Sequence, residues 1–376
     1  MGGIESYVAG ILEDIRAHGL EALRRYSQEF DGFGGPFRVP EDEVEGSGQL
    51  LPQGVRESIE RVVERVTEHH RLQVRGNELY VKDGSLYGIL RRPIRRIGIY
   101  VPGGKPLPSS LIMAAVPARV AGVEEIAVCT PPKSGRVAAE ILYVAKVLGI
   151  REVYRIGGVQ AIAAMAFGVG MERVDKIFGP GNRYVNEAKR QVFGQVGIDG
   201  LAGPSEVFVV SDGSQPPELV LADLESQLEH GPDSKAWLCT TSAREAMSLN
   251  GGRIEVMLAG SVEECIDRAN EIAPEHLEIL CAEPLRYLER VKNAGAVYMG
   301  PFTPVPAGDY FLGVNHVLPT GGTVRFGSAL TVEDFVRRIS FAHVSRGDFQ
   351  SGVGSGITLA RAEGMEGHAR SLEARL

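Results

Sequence analysis

The sequence predicts an α/β protein made of two Rossmann-like parallel-sheet domains of similar construction, extended by a helical C-terminal arm. Short apolar runs alternate with helix-length segments over residues 97–193, and the same alternation returns over 206–299. Strands alternating with helices of this length imply a parallel sheet covered on both faces. The chain's 376 residues exceed a usual single domain, and 44% hydrophobic with 23% charged content is ordinary for a globular protein.

Over residues 8–30 the apolar positions Val8, Ile11, Leu12, Ile15, Leu20, Leu23 and Tyr26 recur at helical spacing, with a break at Gly19, which reads as two short amphipathic helices. A further helix is expected over 55–70, and a β-hairpin over 78–93 around Asp83-Gly84. The first series then predicts strands at 97–101, 126–129, 153–156 and 174–178, with helices through 121 and over 137–148, 159–167 and 182–193. The second predicts strands at 206–210, 236–240, 254–258, 278–281 and 296–299. The Pro- and Gly-rich stretch 302–327 is far longer than the usual connection of about 4 to 6 residues, and long ordered loops tend to carry function. The tail from Thr331 reads as mainly helical.

A formal charge of −8 argues against a nucleic-acid partner, which needs a basic stripe to displace counterions. Cys129, Cys239, Cys265 and Cys281 are scattered in apolar stretches without a C-x-x-C pair, as expected in a reducing cytoplasm. No segment approaches the roughly 20 apolar residues of a membrane span, and a secretory leader is not expected. The opening Met1-Gly2-Gly3-Ile4-Glu5-Ser6 matches a loose myristoylation pattern, but no polybasic second anchor follows.

Open parallel sheets bind ligands past the carboxyl ends of their strands, so site residues are expected in the loops that follow strands. Pro102-Gly103-Gly104, Gly157-Gly158 and Gly179-Pro180-Gly181-Asn182 hold that position in the first series. Such turns either admit an anionic cofactor to backbone amides or are ordinary structural turns. The usual dinucleotide fingerprint is missing: Gly352-Val353-Gly354-Ser355-Gly356 falls short of it and does not follow an expected strand.

Of eight histidines, His230, His276, His316 and His368 lie in polar, Gly- or Pro-containing segments, whereas His18, His69, His70 and His343 read as surface or packing residues. Gln227 and His230, three apart near a helix end, share a face that is either a pair of metal ligands or a polar helix end. With Asp309 and His368 they would make two imidazoles, an amide oxygen and a carboxylate, a set that suits zinc and leaves it net positive. Glu275-His276, placed ahead of a strand expected near Glu278, is either a pair dividing two proton transfers or a solvated loop pair.

Several segments, in order, resemble the histidinol dehydrogenase family. They are Tyr100-Val-Pro-Gly-Gly104, Gly157-Gly-Val-Gln-Ala161, Phe178-Gly-Pro-Gly-Asn182, Ala202-Gly-Pro-Ser-Glu-Val207 and Ser226-Gln-Leu-Glu-His-Gly-Pro-Asp-Ser234, then Ala273-Pro-Glu-His-Leu277, Gly308-Asp309, Asn315-His-Val-Leu-Pro-Thr320 and Glu363-Gly-Met-Glu-Gly-His368. The resemblance implies oxidation of L-histidinol to L-histidine through L-histidinal with two NAD⁺, the last step of histidine biosynthesis. It implies zinc ligation by Gln227, His230, Asp309 and His368, and proton transfer by Glu275, which activates water, and His276, the general base. Ser205, His316 and Glu363 become further substrate contacts, and Tyr100, Gln160 and Asn182 NAD contacts. It also implies a homodimer in which the tail of one subunit reaches the other's site, although a segment that members usually place ahead of the Val8 helix is missing.

The domain reading is N-terminal helices over 1–30, a first α/β domain from 31–99 with 206–325, a second on the NAD side over 100–205, and the helical arm over 326–376. Two rival chemistries are separable. A zinc hydrolase would have no need of NAD, and a metal- or histidinol-binding regulator would be indifferent to loss of Glu275. A thiohemiacetal on cysteine is not expected, because none of the four cysteines falls in the matched catalytic motifs.

Overall fold

A computed structural model describes residues 2–249 and 252–376, and the structural statements below concern those residues. Met1, where the myristoylation pattern begins, lies outside them. The chain opens with α1 (Gly2–Asp31), kinked at Gly19 (φ 58°, ψ −130°), α2 (Glu41–Gly46) and α3 (Gln53–Arg71). The hairpin follows as β1 (Glu78–Lys82) and β2 (Ser85–Pro93).

The first series comprises β3 (Arg96–Tyr100), α4 (Pro108–Ala121), β4 (Glu125–Thr130), α5 (Ala139–Val147), β5 (Glu152–Arg155), α6 (Gly158–Phe167), β6 (Lys176–Phe178), α7 (Arg183–Val192) and β7 (Gly197–Ile198). The second comprises β8 (Glu206–Ser211), α8 (Pro217–Leu228), β9 (Lys235–Thr240), α9 (Ala243–Leu249), β10 (Ile254–Leu258), α10 (Val262–Ile272), β11 (His276–Leu280) and β12 (Ala296–Met299). A short helix, α11 (Val305–Tyr310), is followed by β13 (Val336–His343), α12 (Arg346–Ala362) and α13 (Glu366–Glu373).

Among the described residues each series forms one five-stranded, all-parallel sheet, ordered β5-β4-β3-β6-β7 and β10-β9-β8-β11-β12. The two orders are the same doubly wound pattern, in which the chain starts at the centre, works outward, then returns to the other side. Near-continuous apolar strands such as Val207–Val210 and Ile126–Cys129 are buried, as strands covered on both faces must be. On the first sheet, α4 and α5 cover one face, and α1, α6 and α7 the other. On the second, α10 covers one face and α8 the other.

Two features differ from the sequence reading. Residues 31–99 were expected with the second sheet, but Val44 of α2 and Ile59 and Val66 of α3 join the core of the first. The α3 stripe Ile59-Val62-Val63-Val66 packs into that core, and α3 lies against α4, which brings the small side chains of Ala114, Ala115 and Ala118 to the same core. Within the tail, residues 336–343 are strand rather than helix. β13 pairs antiparallel with β2, so its backbone is satisfied by a strand distant in sequence, which no local periodicity reveals.

The chain divides into two units: the chain up to Gln73 with Ile94–Phe335, which holds both parallel sheets, and Val74–Pro93 with Val336–Leu376. The second unit contains the β1-β2-β13 sheet and the packed pair α12 and α13. Among the described residues no helix is long and apolar enough to cross a membrane.

Candidate active site

The second sheet carries its polar residues at the amino edge of its strands, not at the carboxyl edge expected from doubly wound folds. His276, which the sequence placed ahead of the strand, is the first residue of β11, and Glu206 is the first of β8. His276 stands in register with Val207, and Ser205 immediately precedes β8. Helix α8 returns toward this edge before β9 begins, so Gln227, in its last turn, and His230, in the turn just beyond, arrive there too. The glycine turns of the first sheet do lie after β3, β5 and β6, at the carboxyl edge. Residues 199–205 join that edge to the start of β8, and Asn186 Nδ2 donates to Ala202 O there (2.6 Å). The glycine turns thus lie where the sequence placed them, whereas the polar cluster of the second sheet lies at the opposite edge, and a short connector brings these unlike edges together.

Glu206 organises the centre. Its backbone N–H donates to Glu275 Oε2 (2.9 Å), and its carbonyl receives the His276 Nδ1 proton (2.9 Å). Its own carboxylate accepts the Gly321 N–H and faces Lys235 Nζ at 3.6 Å. With Nδ1 committed as donor, the second nitrogen of His276, Nε2, is left as the basic atom; it is buried and unpartnered. Burial pushes the imidazole down to about 4, so it is neutral near pH 7. Glu275, 7% exposed, is pushed by burial up to about 8, with the charges of Glu206 and Asp309 adding to the rise. Its Oε2 lies 3.5 Å from His276 Nδ1.

The long loop supplies the opposite wall. Asp309, in α11, accepts from His316 Nδ1 at 3.0 Å. Burial alone would raise its carboxyl, but that bond and the neighbouring His276 and His230 imidazoles hold it below the usual carboxylate range. Asn315 braces the loop: its amide donates to Met113 O (2.7 Å) and to His70 Nε2 (3.2 Å), while its oxygen accepts the Val317 N–H. His70, read from sequence as a surface or packing residue, is fully buried, and its Nδ1 donates to Val66 O. Gly308 must lack a side chain, because a Cβ there would overlap the hydroxyl of Tyr298.

Gln227, His230 and Asp309 thus belong to one unit with Glu275, His276, Ser205 and His316. Glu363, which caps α12, and His368, on α13, are exposed residues of the other unit. Among the described residues no three His, Cys, Asp or Glu side chains stand at metal-holding spacing. The expected zinc set takes only two of those types, His230 and Asp309, from the first unit, with an amide as its third donor. The chemistry of that amide fits: Gln227 Nε2 is buried without a partner, which leaves the oxygen as the atom able to ligate.

On the first sheet Tyr100 and Gln160 are buried and internally engaged. Tyr100 Oη accepts the Gly158 N–H (3.2 Å), while Gln160 Nε2 and the Gly157 N–H both donate to Asp31 Oδ2 (3.0 and 2.9 Å). Asp31 therefore fills the anion position at the start of α6. Asn182 is exposed and caps α7, accepting the Tyr184 and Val185 N–H groups. The Gly179 turn is held from below, its N–H on Asp199 Oδ2 (2.7 Å) and its carbonyl on buried Lys189, which also pairs with Asp199. All four cysteines are buried free thiols.

Glu206, Asp31 and Tyr298 were not singled out in the sequence. Glu206 was discoverable as an acid opening an otherwise apolar strand; the other two carry no local signal, since their partners lie more than a hundred residues away or across the sheet.

The histidinol dehydrogenase family model matches residues 2–252 and 248–376. The histidinol dehydrogenase of Thermococcus kodakarensis is 62% identical over 375 residues, spanning all of both chains, and that of Thermus thermophilus is 44% identical over 99% of this chain and 94% of its own. The crystal structure of histidinol dehydrogenase from Elizabethkingia anophelis superposes with a TM-score of 0.94 at 34% identity, covering 100% of this chain and 92% of that one. With a full-length family match and the same fold, this chain belongs to the histidinol dehydrogenase family of oxidoreductases.

Proposed function

We propose that this chain oxidises L-histidinol to L-histidine through L-histidinal, reducing two NAD⁺, with zinc held by Gln227, His230, Asp309 and His368. The observation that carries the reading is the state of His276: neutral, pinned through Nδ1 to the Glu206 carbonyl with the buried Glu275 carboxyl on that side, and offering a free Nε2. A base held in one tautomer and kept unprotonated is ready to take a proton from an alcohol.

When bound, zinc would hold the amine and imidazole of the substrate and so orient the alcohol carbon. His276 Nε2 accepts the hydroxyl proton as hydride leaves that carbon for the nicotinamide, giving the aldehyde and the first NADH. Glu275, ionised above about pH 8 in the metal-free chain and at lower pH where a bound cation would stand beside it, then takes a proton from water as the water oxygen adds to the aldehyde carbon. His276 accepts the hydrate's hydroxyl proton as the second hydride departs, leaving the carboxylate. Ser205, His316 and Glu363 hold the substrate. Asn182 meets NAD at the exposed start of α7, and Tyr100 and Gln160 serve it by shaping the Gly157-Gly158 turn. The C-terminal arm of a second copy supplies His368 and Glu363, which makes the working unit a homodimer, expected in the cytoplasm.

The test is incubation with L-histidinol, zinc and NAD⁺ while following NADH absorbance. Two NADH per histidinol is the expected yield, and no NADH from protein with full zinc content would refute the reading.

A further inference from the structure

Behind the catalytic edge, the face of the second sheet under α8 contains polar groups set into an apolar core. Glu278 lies two residues after His276 on β11, so both side chains project to the same face. It stands in register with Tyr298 on β12 and Val209 on β8. From above, α8 contributes Asp223 and Gln227, one turn apart on its buried face between Val220 and Leu228. Val207, Val209, Val220, Leu224, Leu238 and Tyr298 pack around them.

The polar atoms of this layer are orphans of complementary kind. Both Glu278 carboxyl oxygens, Asp223 Oδ2, the Tyr298 hydroxyl, Gln227 Nε2 and His276 Nε2 are buried without partners. Glu278 is 0% exposed. The amide nitrogen and the phenol donate; the Asp223 oxygen accepts. Two carboxyls buried together cannot both stay ionised. Burial drives Glu278 far up, with the Asp223 charge adding to it, and burial raises Asp223 as well, an effect that the neighbouring Glu278 carboxyl tempers. Glu278 is thus the neutral acid, and Asp223 the acceptor one helical turn from Gln227. The Tyr298 ring lies 6.0 Å from that of His276, and its hydroxyl abuts Gly308, the neighbour of Asp309.

We propose that Asp223, Glu278 and Tyr298 form a positioning layer that draws the Gln227 amide nitrogen inward, turns its oxygen to the metal, and braces His276 from behind. Asp223 sets the amide, Glu278 holds Asp223, and Tyr298 keeps the His276 ring and the Gly308-Asp309 segment in place. The inference rests on the reading of Gln227 as a metal ligand and His276 as the base given above. Residues behind a metal ligand typically alter affinity or activity by about 10- to 100-fold when replaced.

The test uses the full chain, stripped of metal with a chelator, and measures zinc affinity by competition with a chromophoric chelator alongside the thermal midpoint. Asp223→Asn and Glu278→Leu are expected to weaken zinc binding by about 10-fold or more, whereas Glu278→Gln, which keeps a donor, retains it. Tyr298→Phe removes only a hydroxyl and so guards against misfolding of the acid variants; it is expected to lower kcat for histidinol while leaving KM unchanged. Wild-type zinc affinity in both Asp223→Asn and Glu278→Leu, with a shift in midpoint alone, would show a purely structural role and overturn the layer. Wild-type kcat in Tyr298→Phe overturns its part. Failure of the wild-type protein to bind zinc overturns the functional reading and this inference together, whereas zinc binding indifferent to the variants overturns this inference alone.

Discussion

Replacing Glu275 with Gln separates the energetic role of that carboxyl from its chemical one. Burial raises it from 4.5 to about 8. A folded-state value above the unfolded one means that its contribution to stability is complete below pH 4.5 and is lost as pH rises through about 8. At about 1.4 kcal/mol per pH unit, the carboxyl weakens the fold by about 2 kcal/mol at pH 6 and about 5 kcal/mol at pH 9, relative to its neutral form. Gln at this position can still accept the Glu206 N–H but cannot ionise. The Glu275→Gln protein should therefore gain about 3 kcal/mol on the wild type between pH 6 and pH 9. Urea denaturation of both proteins at the two pH values measures this, with metal removed so that no cation lowers the carboxyl. An equal stability difference at pH 6 and pH 9 would refute the burial argument. The same variant should complete the first oxidation and stall at the aldehyde, so that NADH per histidinol falls from two toward one.

His276→Asn keeps a polar side chain but removes the Nε2 base, and kcat should fall by about 10²- to 10⁴-fold with zinc content unchanged. Gly308→Ala puts a methyl group into the Tyr298 hydroxyl and should cost about 1–3 kcal/mol, read as a lower midpoint of unfolding. Lys189→Met strands Asp199 beneath the Gly179 turn; about 3–5 kcal/mol of stability should go with it, together with a rise in KM for NAD⁺ if that turn meets the cofactor. Cys239→Ser, Cys265→Ser and Cys281→Ser should spare turnover, and a folded variant that lost it would reopen a covalent thiol mechanism.

Much of the secondary structure was legible because each strand in a doubly covered sheet must be apolar and each covering helix must show a stripe. The spacing of Ile97–Val101 and Glu206–Val210 carries that information locally. β13 was not legible, because an exposed antiparallel strand with mixed polarity, Val336–His343, earns its backbone partners from β2, and tertiary pairing overrides local preference. The candidate site divides in the same way. Motifs marked Glu275, His276, Gln227, His230, Asp309 and His316 as chemically able residues, yet their edge was misassigned, since no short segment states which end of a sheet faces its neighbour. Glu278 and Asp223 are acids inside apolar runs, a visible anomaly, but nothing in either run says that the two meet.

The sequence by itself therefore determined the fold class, the doubly repeated sheet, the membership of the family and the residue types available for chemistry, all of which follow from local periodicity and from ordered motifs. Only the tertiary structure decided protonation. Glu275 and His276 are adjacent residues of ordinary type until burial raises one to about 8 and lowers the other to about 4, a divergence that their hydrogen bonds to the Glu206 backbone oppose and that comes from packing by segments distant in sequence.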